Sequence, residues 1–215
     1  MHIEPPEGPL RTLKEFLSHY AMIVLSIVTA LALEQVALGM EHAREGARAR
    51  AEIEQEIGEN RAQVEESMKA TRANLAEWTA MLDAAAADAA DGKSTPERRI
   101  ATVRGAISKF GDALPALKND AWEAAIAGHA VDYLDHADLA RFSEIYNRQR
   151  FFAESMWEVL RDGALRNVST LTLAQARKDI DPGELLATLN WRVQTLGVIS
   201  GDLAQLNRVL GEPKR

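Results

Sequence analysis

From Phe16 to Leu33 the chain contains no Asp, Glu, Lys or Arg. Eighteen such residues, at about 1.5 Å each, make a helix of roughly 27 Å, enough to cross the hydrocarbon core of a bilayer. In lipid every backbone polar group must be satisfied within the segment, so a span of this length can only be helical. Val36 to Met40 carries the apolar character past Glu34 and Gln35. The expected organisation is a tail over 1–15, a transmembrane anchor over 16–40 and a polar helical domain over 41–215. His19 and Tyr20 fall at interfacial depth. Glu34 lies near the far boundary, where a charge costs less than the ~2.5–3.5 kcal/mol of the bilayer centre. It reads as a solvated interfacial acid; a proton or ion role would need a partner group from another copy.

Two other readings of this segment stand beside the anchor. Ala30-Leu31-Ala32 has the small-x-small form of a signal-peptide cleavage site. Against cleavage, Glu4, Pro5, Pro6, Glu7 and Pro9 precede the apolar run, and the helical pattern continues past the site. The segment also has the length of a buried core helix in a soluble protein. Orientation is nearly balanced. Arg11 and Lys14 precede the span, while Arg44, Arg48 and Arg50 follow it among Glu41, Glu45 and Glu52. The usual signal-anchor arrangement puts the N-terminus in the cytoplasm and the domain in the periplasm of a bacterial inner membrane.

The chain as a whole is of ordinary globular composition, with 27% charged and 47% apolar residues, so it is neither disordered nor polytopic. Aromatics are only 6% while alanine is abundant, which favours closely packed helices. A net charge of −7 gains nothing from a phosphate backbone, so nucleic acid is not an expected partner. The absence of cysteine excludes disulfides, thiolate zinc sites and cysteine nucleophiles, and suits either side of the membrane.

Between Glu34 and about Ala90 there is no proline, and good helix formers dominate. Ile57, Val64, Thr71, Trp78 and Ala85 recur every seven residues, with Arg61, Met68, Leu75, Leu82 and Ala89 as a companion row. This predicts a long helix rising from the membrane, its seam covered by later helices or by a second copy. Gly92, Thr95 and Pro96 then read as helix end, N-cap and first helical position. Ile100, Val103, Ile107 and Phe110 form a short amphipathic helix ended by Gly111 and Pro115. Asp120-Ala121-Trp122-Glu123 reads as a capping box opening a further short helix that closes at Gly128. Val131–Leu134 reads as an extended or turn segment. Asp135 caps the next helix, whose apolar face carries Leu139, Phe142, Ile145, Tyr146, Phe152, Met156 and Leu160, with a kink or break at Gly163 and Asn167. The last helix starts at Asp181-Pro182, is lined by Leu186, Leu189, Val193, Leu196, Leu203, Leu206 and Leu210, and ends at Gly211 and Pro213. No strand pair or internal repeat is evident. The expected fold is all-α: a transmembrane helix continuing into a long helix, packed against several shorter ones.

This order of features resembles a group of uncharacterised bacterial single-pass membrane proteins, classed only as domains of unknown function. The residues that carry the resemblance are IVLSIVTALALEQ (Ile23 to Gln35), EIEQEIGENRAQV (Glu52 to Val64), AWEAAIAGHAVDYL (Ala121 to Leu134) and the helix from Leu139 to Tyr146. The resemblance implies a membrane-anchored helical domain and carries no activity with it.

Five residues, His129, Asp132, Asp135, His136 and Asp138, include two imidazoles and three carboxylates. They lack the i, i+4 histidine pair of a helical metal site, and capping accounts for Asp135 and Asp138. No metal, cofactor or catalytic group is therefore assigned. Trp122, Gly128 and Tyr133 are the structural or pocket candidates. Trp122 would plug a short helix into the bundle, Gly128 would supply a left-handed helix end, and Tyr133 would bury its ring with its hydroxyl on a backbone group. Trp78, Trp157 and Trp191 are expected in packing. Neither a nucleophile elbow, a phosphate-binding glycine loop nor a dinucleotide fingerprint occurs. The chain is thus expected to be no enzyme. It is expected to be a scaffold or interaction module that self-associates or binds a partner membrane protein. The alternative is a ligand-sensing bundle, with a cavity near Trp122 and Tyr133, that signals through a partner.

Overall fold

The computed structural model describes the backbone of residues 13–111 and 114–211. Of the expected tail over 1–15, residues 1–12 lie outside the described residues, as do Pro213 and the side chain of Leu160, while 13–15 already belong to the first helix. Five α-helices occur among the described residues: α1 (Leu13–Ala90), α2 (Pro96–Ser108), α3 (Asp120–Ala127), α4 (His136–Arg177) and α5 (Pro182–Gly211). A 3-10 turn, Ala130–Tyr133, joins α3 to α4, and no strand occurs among the described residues.

Helix α1 runs unbroken for 78 residues, close to 120 Å at about 1.5 Å per residue. Its two parts differ completely in surroundings. From Phe16 to Glu41 every residue is exposed, and this stretch supplies the one helix among the described residues that is long and apolar enough to cross a membrane. Nothing in the described chain covers it, so it is not a buried core helix of this chain. From Gly46 onward α1 enters a bundle. Ile53, Ile57, Val64, Thr71 and Trp78 are buried, so the principal heptad row faces inward. The companion row is displaced. Arg61 is exposed and Met68, Leu75 and Leu82 are half-buried, while Asn60 and Ser67 are buried in their place. Polar side chains thus occupy a line that hydrophobicity alone gives to Arg61 and Met68.

The bundle has four columns. Helix α5 returns antiparallel to α1, with Arg192 over the Trp78 ring and Gly211 beside Arg61. Helix α4 runs parallel to α1, tied by Arg50–Asp138, Glu54–Arg141 and Asn60–Gln149. The fourth column is composite: α2, an extended stretch and α3 run back along α1 in turn. Lys109 pairs with Glu77 and the Ala116 N–H donates to Gln63. Between α2 and α3 the described residues 114–119 carry no helix.

Local signals explain most helix ends. Thr95 accepts from the Arg98 N–H with Pro96 in the first turn, Asp135 accepts from the Asp138 N–H at 2.7 Å, and Gly92 takes φ +68° at the end of α1. Three expectations are corrected. Helix α4 does not break at Gly163. The Trp191 ring occupies the space a Cβ there would need, and the Asn167 side chain donates back to the Gly163 carbonyl at 2.7 Å, so both residues serve packing within a continuous helix. The N-cap of α3 is Asn119, one residue earlier than the expected box, and its side chain caps no backbone N–H. Gly128 has φ −86°; the left-handed residue is His129, at φ 58°.

Two cores lie in series along the bundle. The one nearer the apolar segment gathers Ile53, Ile57, Val64, Phe142, Ile145, Phe152, Leu203 and Leu206; the far one gathers Trp78, Val103, Leu171, Leu189 and Leu196.

Candidate functional site

The extended stretch of the fourth column has no helical hydrogen bonds of its own, so its backbone groups need other partners. One polar stripe of α1 supplies them. Gln63 accepts from the Ala116 N–H at 2.9 Å. The Asn60 carboxamide binds Lys118 twice, donating to its carbonyl at 2.7 Å and accepting from its N–H at 2.9 Å. Glu56 accepts from the Ala121 N–H at 2.9 Å, an orphan donor in the first turn of α3. These residues stand at i, i+4 and i+7, one face of a helix. Beside them Glu59 and the Lys118 ammonium pair at 2.7 Å. That bond holds the Glu59 carboxyl below its ordinary range and raises Lys118.

The ladder continues into α4. The Tyr146 hydroxyl donates to the second Glu56 oxygen at 2.6 Å, and burial together with this carboxylate pushes the phenol well above its usual pKa, so it stays protonated. Gln149 accepts from Asn60 at 3.3 Å. Trp122 stacks on Tyr146, with ring centroids 5.4 Å apart and planes 8° from parallel. Trp122 therefore does plug α3 into the bundle, with Glu56 fixing its stacking partner.

Outside this ladder, between α4 and residues 117–126, lies an open-sided groove of about 410 Å³ walled by Trp122, Ile126, Tyr146, Gln149 and Arg150. A second, more apolar hollow of about 250 Å³ under Trp157 shares Leu117 and Ala153 with it.

Tyr133 belongs elsewhere. Its ring is exposed and stacks on His42 at 4.1 Å, where α1 leaves the bundle. Its carbonyl lies only 2.5 Å from where a Cβ on Gly46 would be, so glycine at 46 is what lets the 3-10 turn dock. The expected burial of the Tyr133 ring is thus corrected: the backbone is what packs. Trp122 lines the groove and Tyr133 does not, and Gly128 is an exposed helix end.

The His/Asp cluster is also dispersed. His129 and Asp132 face solvent, 3.8 Å apart, Asp135 is a cap, and Asp138 is buried against Arg50 at 3.1 Å. Among the described residues no group of three or more His, Asp or Glu converges to hold a metal ion.

Sequence reasoning did not find Glu56, Asn60, Gln149 or Tyr146 as partners. The available signal was a polar line, Glu56-Asn60-Gln63-Ser67, running beside the apolar seam. In the far core, Arg192 is fully buried, over Phe110 at 4.7 Å and Trp78 at 5.4 Å, and donates to the Gly111 carbonyl at 2.9 Å. Comparison of this chain with protein-family models, with curated proteins and with solved structures finds no match.

Proposed function

We propose that this chain is a single-pass protein of a bacterial inner membrane whose four-column bundle is an interaction or scaffold module. The observation that carries the reading is the exposed apolar part of α1, which continues without a break into the bundle. An uncovered apolar surface of that size is unfavourable in water and favourable in lipid. The resemblance to uncharacterised bacterial single-pass proteins points the same way. For the partner we infer a second copy or another membrane protein. Phe151 and Trp157 on α4 are 60% and 76% exposed, and large aromatic side chains of this kind anchor protein interfaces. We place the bundle in the periplasm.

Membrane fractionation with alkaline extraction, combined with N-terminal sequencing, tests the anchor. The expected result is an integral protein with its apolar segment intact; a mature chain starting at Leu33 overturns it. Protease accessibility in spheroplasts tests the side, and cross-linking in membranes tests self-association. No enzymatic activity or bound metal belongs to this reading, because a nucleophile needs a base within hydrogen-bond reach and a metal needs convergent ligands. Stoichiometric zinc in protein purified without chelator, lost when His129 and His136 are replaced, would overturn that part.

A further inference from the structure

Beyond the scaffold reading, we propose that the groove beside Trp122 is a binding site for a small planar aromatic carboxylate. The groove lies between α4 and the segment running from Leu117 into α3, with Trp122 and Ile126 of α3 on one side and Tyr146, Gln149 and Arg150 of α4 on the other. Its volume of about 410 Å³ is in the range of small-molecule sites, and its walls combine apolar rings with a few polar groups, as such sites do.

The polar groups define the ligand. Gln149 is 5% exposed. Its Oε1 accepts from Asn60, while its buried Nε2 has no hydrogen-bond partner. The carboxamide cannot exchange its two ends to repair this. Asn60 is fixed by its two bonds to the Lys118 backbone, so it presents N–H to Gln149, and a reversed Gln149 would set donor against donor. A buried N–H gains from an acceptor, which an ordered water or a ligand atom supplies. Gln149 stands on the groove wall, and the terminal torsion of Gln is soft, so an acceptor in the groove meets this donor after a small turn.

Arg150 follows on the same wall. Its guanidinium reaches Asn147 at 2.7 Å and retains N–H groups for a carboxylate, the planar anion it matches best. Glu123, the acid on the wall, is bound by the Asn119 amide. The half-buried Trp122, backed by Tyr146 and Glu56, is a rigid aromatic surface for a flat ring. A bound carboxylate would thus sit one hydrogen bond from Asn60, and so from α1.

The full chain in lipid nanodiscs, titrated with 2-naphthoate, 2-naphthamide and cyclohexanecarboxylate, tests the assignment by thermal melting and saturation-transfer NMR. The expected result is a concentration-dependent rise in Tm with 2-naphthoate and weaker binding of the other two. Gln149→Leu and Arg150→Gln should each weaken 2-naphthoate about tenfold. Arg150 is exposed, so its variant keeps the test decisive if Gln149→Leu does not fold. The proposal is overturned if no probe binds, if the amide binds as well as the acid, or if the folded variants bind like the parent. Each of those outcomes leaves the membrane-anchor reading standing, because that reading is tested by extraction.

Discussion

Asn60 and Trp78 are eighteen residues apart on α1, five turns at about 3.6 residues each. They therefore point in the same direction from the helix, and both are fully buried. Their surroundings have opposite chemistry. Around Asn60 the bundle is joined by directional bonds to an extended backbone and to Gln149. Around Trp78 it is joined by bulk: an edge-on Phe110 ring at 5.8 Å, the Arg192 guanidinium and a sheath of leucines. Apolar contacts supply stability without specifying register, whereas a carboxamide paired to one peptide unit accepts a single alignment. Trp78 accordingly contributes bulk to its core, and Asn60 decides which segment lies against α1 at its level.

The sharpest way to break this contrast is at the far end. Trp78→Ala should destabilise the bundle by about 3–5 kcal/mol, measured by denaturant unfolding in detergent. A loss within ~0.5 kcal/mol, the range of surface substitutions, would show that the ring carries no packing. Asn60→Ala should cost less, about 2–3 kcal/mol, because it strands the Lys118 N–H and carbonyl in a partly buried place. Its distinguishing signature is local: hydrogen exchange should rise at Ala116, Lys118 and Ala121 while the α2–α5 contact stays protected. Uniform exchange across both ends would refute the division of labour. Gly163→Ala should cost roughly 1–3 kcal/mol by driving a methyl into Trp191; a neutral result would mean that α4 and α5 slide apart freely. The smallest effect should come from acid. Asp179, held low by its hydrogen bond with Arg99, and Glu59, held low by Lys118, contribute stability that is present above the ordinary carboxylate pKa of about 4 and is lost as pH falls through their lowered values. Both lie at the surface, so Asp179→Asn and Glu59→Gln should only modestly flatten the pH dependence of Tm below about pH 4. A change in stability at neutral pH larger than that of Gly163→Ala would contradict this ranking.

The sequence pattern reveals those parts of the fold that are encoded within one or two turns. Thr95-Pro96, Asp135 and Gly92 state their roles locally, and the row from Ile57 to Trp78 shows which side of α1 is covered. Gly163 is legible only as a helix breaker until Trp191 is placed against it, and that placement depends on α5. The cap of α3 is likewise invisible locally, since its acceptor is Glu56, some sixty-five positions upstream. The candidate site is only half legible in the sequence. Trp122 stands out as an aromatic in a short helix, but Tyr146, Gln149 and Asn60 become its surroundings only through pairings 58, 89 and 90 residues apart. Tyr133 and Trp122, close in sequence, separate because the 3-10 turn carries the chain past Gly46.

An α1 without a break also has a mechanical meaning. Side chains about thirty-six residues apart on an ideal helix, ten full turns, share one azimuth. Leu17, Ala21, Val24 and Val28 therefore stand in rotational phase with Ile53, Ile57, Asn60 and Val64, the residues the bundle grips. The helix acts as a keyed shaft: the bundle sets which flank of the apolar segment points which way. A torque applied to the bundle from outside is delivered to that segment as rotation, with no hinge among the described residues to absorb it.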